Sequence, residues 1–434
     1  RDDIMSYKRT DDIPGADGGD GRQEPVPIEP EAIRILTDPN SWLSGGTAGS
    51  SSTSTETRAY SDDFRLSEGR RVAVICGGPA GSLFAQFLLK TLNRTGTSIE
   101  LDIFEPRNFD FCGPAGCNHS GGVVSESLVQ LLAAEGIVLP DETVQRGIDS
   151  YVMHMDVGSV RIDTPLQEKR IAAVYRGHGP KNSEISNIPG FDQHLLQRAT
   201  RLGANLRPQM VTSVDFTTGR PELTLADGRS ENYDLLVIAS GLNSALLSIV
   251  EQTGCGFVRP KAAKSFVAEF KLGADAVERH LGNSMHVFLL DLPHLQFAAL
   301  IPKGDYVTLV MLGDKVDEAL VNAFLNAEEV RKCFPERRPP PNICQCFPRL
   351  NVSQARRPYA DRLIFIGDSG VARLYKDGIG SAYRTAKAAA NCVSLYGFSS
   401  SDLEKHYWPA CRKIIIDNLM GKCVFGVCHL IQKL

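Results

Sequence analysis

The run Arg71-Val72-Ala73-Val74-Ile75-Cys76-Gly77-Gly78-Pro79-Ala80-Gly81 decides the fold. Arg71 to Ile75 is a short apolar, β-branched stretch, the kind of strand that is buried on both faces of a parallel sheet. Gly77 to Gly81 reads as a turn, and Ser82 to Leu92 sets Leu83, Phe84, Phe87 and Leu88 at helical spacing. Ile99 to Phe104 reads as a second strand, ending at Glu105. Strand, glycine turn, helix and strand open a nucleotide-binding unit. Small residues let the backbone approach a pyrophosphate, and the helix N-terminus offers free N–H groups and the positive end of a dipole. In this reading Gly78 is the close-approach glycine and Gly81 lets the helix pack on the sheet. Gly77, Pro79 and Ala80 complete the loop, and Cys76 stands where such loops carry their first glycine. Glu105 is placed to accept hydrogen bonds from ribose hydroxyls, and Arg107 to pair with phosphate.

A second motif lies near the other end of the chain. Leu363 to Gly367 reads as a buried strand, and Asp368 follows it directly. An acid there can bind the polyol chain that joins an isoalloxazine ring to phosphate. Asp377-Gly378-Ile379-Gly380-Ser381-Ala382 then opens a long Ala-rich helix, Ser381 to Tyr396. Such a start can offer N–H groups to negative charge on a flavin pyrimidine edge. The two ends of the chain thus supply two halves of one dinucleotide site.

Between them, Ser125 to Glu135 is expected to be helical, and residues 148 to 175 to form antiparallel strands. Asp192 to Leu202 is read as a helix capped by Asp192. Leu206 to Phe216 and Glu222 to Leu225 are expected as strands, with a turn at Asp227-Gly228, and Leu235 to Ala239 as another buried strand. Residues 264 to 272, 285 to 291, 295 to 301 and 305 to 312 suggest an antiparallel meander. Asp317 to Lys332 is expected as one helix and Pro335 to Pro348 as a Pro-rich connection. Residues 1 to 68 are polar, with acids in excess over bases, and are read as a disordered or loosely packed tail.

From about Arg70 to Tyr407 the chain resembles the FAD-dependent oxidoreductases that include p-hydroxybenzoate hydroxylase-type aromatic hydroxylases and geranylgeranyl reductases. Cys76 to Gly81 with Glu105 resembles their pyrophosphate and ribose loop. Asp234-Leu-Leu-Val-Ile-Ala-Ser-Gly-Leu-Asn-Ser244 resembles the middle motif that ends a strand near FAD, with Gly241 at the cofactor. Gly367-Asp368 resembles the ribityl-binding motif. Gln209-Met210-Val211-Thr212 resembles the strand whose backbone touches adenine, and Phe191 to Arg198 the helix before it. The departures are specific. The middle motif reads Ser240-Gly241 where Asp-Gly is usual. The reductases' Cys-x-Gly-Gly loop over the flavin aligns with Ser120 at the cysteine position, Cys117 lying three residues earlier. Phe297 to Gly304 keeps the proline of their substrate-pocket strand and lacks its Tyr and Trp.

The resemblance implies an α/β fold: a discontinuous Rossmann-like FAD-binding domain (residues 70–150, 191–258 and 351–400) and an antiparallel substrate domain (259–350). Residues 151–190 are shared strands and 401–434 a helical segment. It implies FAD as cofactor, NAD(P)H as a transient electron donor and a hydrophobic, isoprenoid- or lipid-like substrate. Cys117, His119 and Ser120 are the candidate catalytic residues, a proton donor or ordered water finishing the reaction. Hydride transfer to an alkene, flavin monooxygenation and FAD binding without catalysis all stay open. Arg373, Tyr375 and Lys376 are further candidates to line the flavin.

Composition narrows the alternatives. The chain has 434 residues, 42% hydrophobic and 23% charged, with a formal net charge of -4. The slight acidity excludes a dedicated nucleic-acid binder, whose domains carry a basic excess. No apolar run is long enough to span a bilayer and no signal peptide is visible, so a cytoplasmic protein is expected. The interrupted apolar stretch Ile414 to Leu434 leaves peripheral membrane contact open. The 11 cysteines are odd in number and scattered, which suggests reduced thiols. Cys112/Cys117, Cys344/Cys346 and Cys423/Cys428 do not form a zinc spacing, and no metal is expected.

Overall fold

Arg71–Ile75 lies inside a six-stranded sheet, pairing in parallel with Glu100–Phe104 on one side and Leu235–Ile238 on the other. Leu363–Phe365 extends the sheet in parallel beyond Leu235–Ile238, and Asn205–Arg207 beyond Glu100–Phe104. Tyr359–Ala360 closes one edge as an antiparallel strand. The computed structural model describes residues 62–109, 112–113, 120–181, 190–242, 244–374 and 377–432, with side chains through residue 423. Residues 72–75, 101–104, 235–238 and 363–365 are all buried, as continuous apolar runs require when both sheet faces are covered. Alternate side chains divide between two cores. Val72, Val74, Ile103 and Val237 pack with the helices Pro79–Thr95 and Gly378–Leu395. Ala73, Ile75, Leu236 and Phe365 pack with Leu223, Leu247 and Phe257 on the opposite face.

The second large sheet has eight strands. Ala262–Lys271, Tyr306–Gly313, Leu295–Lys303 and Ser284–Leu289 form the expected antiparallel meander. Ser150–Met155 then joins Ser284–Leu289 in parallel, and Gly158–Asp163 hairpins onto it. One face buries Phe266, Phe270, Phe288 and Met311 under the helices Glu318–Asn326 and Glu328–Arg331. The other face presents Ala299 and Ile301 to Ile148, Ile171 and Ala173 of a small three-stranded sheet. The fold is therefore mixed α/β, with one mainly parallel and one mainly antiparallel sheet.

Several elements differ from expectation for local reasons. The single strand expected over Leu206 to Phe216 splits. Asn205–Arg207 belongs to the parallel sheet and Val211–Asp215 to a separate three-stranded sheet, with Pro208, which has no N–H to donate, between them. The helix expected over Asp317 to Lys332 breaks at Ala327, whose ψ of 140° is extended. Cys344–Cys346, inside the expected connection, is a strand paired with Val267 to Glu269. Asp192 is not a helix cap: the helix is Phe191–Arg201 with Gly190 before it, and Asp192 is buried on an arginine. Phe64, at the end of the expected tail, is buried edge-on against Phe398, 6.0 Å between centroids. Among the described residues, no helix is long and apolar enough to cross a membrane.

Candidate functional site

Parallel strands bring their C-terminal ends to one edge of a sheet, where open α/β folds hold ligands. Here that edge gathers Cys76-Gly77-Gly78, Glu105, Ser240-Gly241 and Gly367-Asp368. Backbone bonds tie them in register: Cys76 N donates to Phe104 O (2.8 Å), Ala239 N to Ile75 O (3.0 Å) and Ile366 N to Ile238 O (3.0 Å). Residues far apart in the chain touch directly. A Cβ on Gly367, whose φ is +61°, would lie 2.9 Å from Ala80 Cβ.

The glycines of the first loop answer to different neighbours. A Cβ on Gly81 would fall 2.0 Å from Cys76 O, so glycine there seats the helix on the strand. A Cβ on Gly77 would meet Leu196 Cδ1 at 2.9 Å. Gly78 precedes the helix at φ -66°, and a Cβ there would find no protein atom closer than the Arg107 and Arg176 guanidinium tips, each 3.9 Å away. Protein packing does not account for Gly78. Open space beside two guanidinium groups and a helix N-terminus suits an anion. The first turn of that helix carries no acid and no side-chain cap. Cys76 adopts φ +76°, the left-handed conformation that a first glycine would take without cost. Its thiol is pushed up to about 12 by burial and then by Glu105, so it is no nucleophile at neutral pH.

Glu105 is buried and accepts from Gly77 N (3.0 Å) and from Arg107 through Nε (2.9 Å) and Nη2 (2.7 Å). Arg107 reaches the loop, held by Glu105. Its partner across Gly78 is Arg176, which the sequence did not point to. Arg176 forks onto fully buried Asp192, Nε to Oδ1 at 3.0 Å and Nη2 to Oδ2 at 2.7 Å. The only sequence signal was an arginine just after the apolar run Ile171 to Val174.

Asp368 is solvent-exposed between buried Gly367 and Ser369. Desolvation raises its carboxyl and the Arg176 charge lowers it, with a net rise. Its carboxylate accepts no hydrogen bond from the described residues; its backbone oxygen takes Asn351 Nδ2 at 2.9 Å. Gly378 lies across from it, a Cβ there standing 3.8 Å from Asp368 Oδ1. The helix Gly378–Leu395 is capped by Asp377, which accepts from Gly380 N (3.0 Å) and pairs with Arg373 and Arg384. Gly378 is exposed, whereas Ile379 and Gly380 are buried. Ser240 Oγ is buried with no partner among the described residues, and Gly241 has φ +68°.

On the antiparallel side, Gly121 and Gly122 have protein reasons to be glycine. Added Cβ atoms would lie 2.9 Å from Val310 Cγ2 and 1.9 Å from Val174 O, respectively. Ser120 Oγ accepts from Gly122 N at 3.1 Å. Cys117, His119, Tyr375 and Lys376 lie outside the described residues. Lys303, inside the stretch Phe297 to Gly304 likened to the substrate-pocket strand, is buried beside this loop with Nζ 4.6 Å from the Tyr175 ring centroid. Buried Glu269, which accepts from Thr308 Oγ1 at 2.8 Å, shares its electrostatic field. Val211 is buried against Leu225 in its own small sheet. A surface hollow bordered by Ser125, Tyr151 and Thr164 shares no residue with the glycine loops.

No protein-family model and no curated protein matches the sequence. Solved structures do match it. A geranylgeranyl bacteriochlorophyll reductase-like protein from Thermoplasma acidophilum has a TM-score of 0.59 at 14% identity, covering 80% of this chain and 88% of that one. A flavin-dependent brominase has a TM-score of 0.57 at 16% identity, covering 79% and 82%. A 2-methyl-3-hydroxypyridine-5-carboxylic acid oxygenase has a TM-score of 0.54 at 15% identity, covering 78% and 86%. The resemblance carried by the motifs thus extends over the backbone: the chain has the fold of the FAD-dependent oxidoreductases of the p-hydroxybenzoate hydroxylase type, geranylgeranyl reductase-like proteins included.

Proposed function

We propose that this chain is an FAD-dependent oxidoreductase acting on a hydrophobic small molecule. The observation that carries the reading is the open space at Gly78, flanked by Arg107 and Arg176 and continuous in sequence with a helix N-terminus. These groups fit a pyrophosphate. Asp368, with an unengaged carboxylate, fits a polyol, and the orphaned Ser240 Oγ supplies a further polar contact at the same sheet edge. In this reading residues 70–150, 191–258 and 351–400 bind FAD and residues 259–350 form the substrate side. Bound FAD would supply the hydride or oxygen chemistry. The chain's own residues then bind and orient. Arg107 and Arg176 balance pyrophosphate charge, Glu105 shares its oxygens with ribose, and Asp368 accepts from the ribityl hydroxyls. The backbone at Val211 lies toward adenine, and Gly241 and the Gly378-Ile379-Gly380 helix start border the flavin. Ser120, with Cys117 and His119 before it, is the proposed proton donor.

The partly buried apolar side chains of Met285 and Val310, the latter beside Gly121, support an apolar substrate. We favour reduction of such a substrate with NAD(P)H as transient donor. The fold's occurrence in an oxygenase supports monooxygenation as the second reading. Substrate-dependent oxygen uptake during NAD(P)H oxidation separates the two. Peripheral membrane contact is proposed through the helix Trp408–Gln432, where Ile416, Leu419 and Met420 are exposed at helical spacing. Ile416→Asp should then lower liposome cosedimentation; an unchanged bound fraction would remove this contact.

Titration with FAD and with riboflavin tests the cofactor assignment. Asp368→Ala should weaken both ligands, because both carry the ribityl chain. Arg176→Lys should retain more FAD affinity than Arg176→Met, with little effect on riboflavin. Equal affinity of wild type and Asp368→Ala for FAD would overturn the assignment of Asp368.

A further inference from the structure

A second cluster of reactive side chains lies on the helix-covered face of the antiparallel sheet, away from the glycine loops. His154 comes from Ser150–Met155 and His286 from Ser284–Leu289, the two strands paired in parallel. Cys333 follows the helix Glu328–Arg331, which packs over that face. His154 Nε2 lies 2.9 Å from His286 Nδ1, and Cys333 Sγ lies 3.4 Å from the same His286 nitrogen. One donor atom from each residue falls within 4.8 Å of the other two, and all three residues are buried. Among the described residues this is the one such group.

We propose that His154, His286 and Cys333 bind a divalent transition-metal ion, zinc foremost. Two imidazole nitrogens and a thiolate are a borderline-soft donor set, which selects zinc over magnesium or calcium. A tetrahedral zinc with bonds of ~2.0–2.1 Å to nitrogen and ~2.3 Å to sulfur holds its donors roughly 3.3–3.6 Å apart. The 3.4 Å pair already has that spacing, and the 2.9 Å pair needs to open by a few tenths of an ångström. The outer partners fit as well. His154 Nδ1 lies 2.8 Å from Ser159 Oγ, and the His286 ring is hydrogen-bonded to the Leu281 backbone. Ligating histidines are oriented by such outer bonds, which hold the ring proton on the side away from the metal. Phe288 stacks on His154 at 4.5 Å with Phe324 edge-on to Phe288, while the charges of Glu329, Lys332 and Arg161 act on the imidazoles and Cys333 Sγ also donates to Glu329 O at 3.6 Å.

Proton balance is simple. The two histidines ligate as neutral imidazoles and Cys333 as the thiolate. Binding one zinc forms two Zn–N bonds and one Zn–S bond and releases the Cys333 proton to solvent. The fourth position is left for water or a small anion. The ion would staple the Ser150–Met155/Ser284–Leu289 pair to the helical cover. Nothing in this inference depends on the flavin reading.

The 434-residue chain, stripped with chelator, should take up one equivalent of cobalt(II). It should show a thiolate-to-cobalt charge-transfer band with the visible bands of a tetrahedral site. Cys333→Ala should abolish the charge-transfer band, and Cys423→Ser, at an exposed cysteine, should leave it intact. X-ray absorption on zinc-loaded wild type serves should Cys333→Ala fail to fold, and should report one sulfur and at least two nitrogen ligands. A wild type with no charge-transfer band, a zinc shell without sulfur, or a band that survives Cys333→Ala would each overturn the proposal.

Discussion

Gly78 and Gly81 stand three residues apart in one loop and are glycine for opposite reasons. At Gly81 the constraint is internal, since a methyl would lie 2.0 Å from the Cys76 carbonyl oxygen. Gly81→Ala should therefore cost about 3 kcal/mol, because neither the helix nor the strand can yield without disturbing a buried core. At Gly78 the nearest side-chain atoms are 3.9 Å away, so Gly78→Ala should change stability by less than about 1 kcal/mol. Its effect should fall on FAD, with at least a tenfold loss of affinity. Urea unfolding paired with flavin titration on both variants checks the contrast, and a Gly78→Ala variant that binds FAD normally would remove the close-approach role. Local chemistry of this sort was legible in the sequence, because a glycine loop between a buried strand and a helix is written in consecutive residues. Arg176 was not legible. Its position depends on Asp192, which the sequence presents as a helix cap and the fold buries as a counter-ion.

At the level of elements, the parallel sheet is tied at one end by a charged cluster drawn from four strands. Glu231 accepts from Arg207 Nη2 (2.7 Å), Arg71 Nη2 (3.1 Å) and Tyr233 OH (2.9 Å), while Tyr233 OH also bonds buried Asp102 (2.6 Å). Hydrogen bonding from Arg207, then from Tyr233 and Arg71, outweighs desolvation and lowers the Glu231 carboxyl from 4.5 to about 2. A carboxyl depressed in the folded state stabilises above its unfolded pKa, and that contribution is lost as pH falls through the folded one. The Glu231 contribution should thus be complete above about pH 5 and fade between about pH 4.5 and pH 2. Glu231→Gln should lower stability at pH 7 by up to about 3 kcal/mol and flatten the acid dependence in that window. Chemical denaturation at a series of pH values measures both, and a parallel pH profile for the variant would contradict the assignment. Of the strands in this cluster, Arg71–Ile75 and Glu100–Phe104 were readable from apolar runs, whereas polar Ser230–Asn232 was not. The split at Pro208 and the helix break at Ala327 were not, because tertiary pairing decides which side of a short irregularity joins which sheet.

For the whole molecule, the central feature is convergence. Gly367 abuts Ala80, and Arg176 reaches from the chain's middle to Gly78 while its charge acts on Asp368. The parallel pairing of these strands explains how. Each strand's C-terminal end must emerge at the same sheet edge, so motifs hundreds of positions apart meet there. The sequence carried the two motifs and their order. It did not carry the pairing of His154 and His286, which depends on a parallel strand joining an otherwise antiparallel sheet. The most direct measurement is the visible absorption spectrum of the purified 434-residue chain, with the released cofactor identified after denaturation. The account predicts flavin bands and equimolar FAD, or their appearance on incubation with FAD. A chain that stays colourless and takes up no FAD would contradict it.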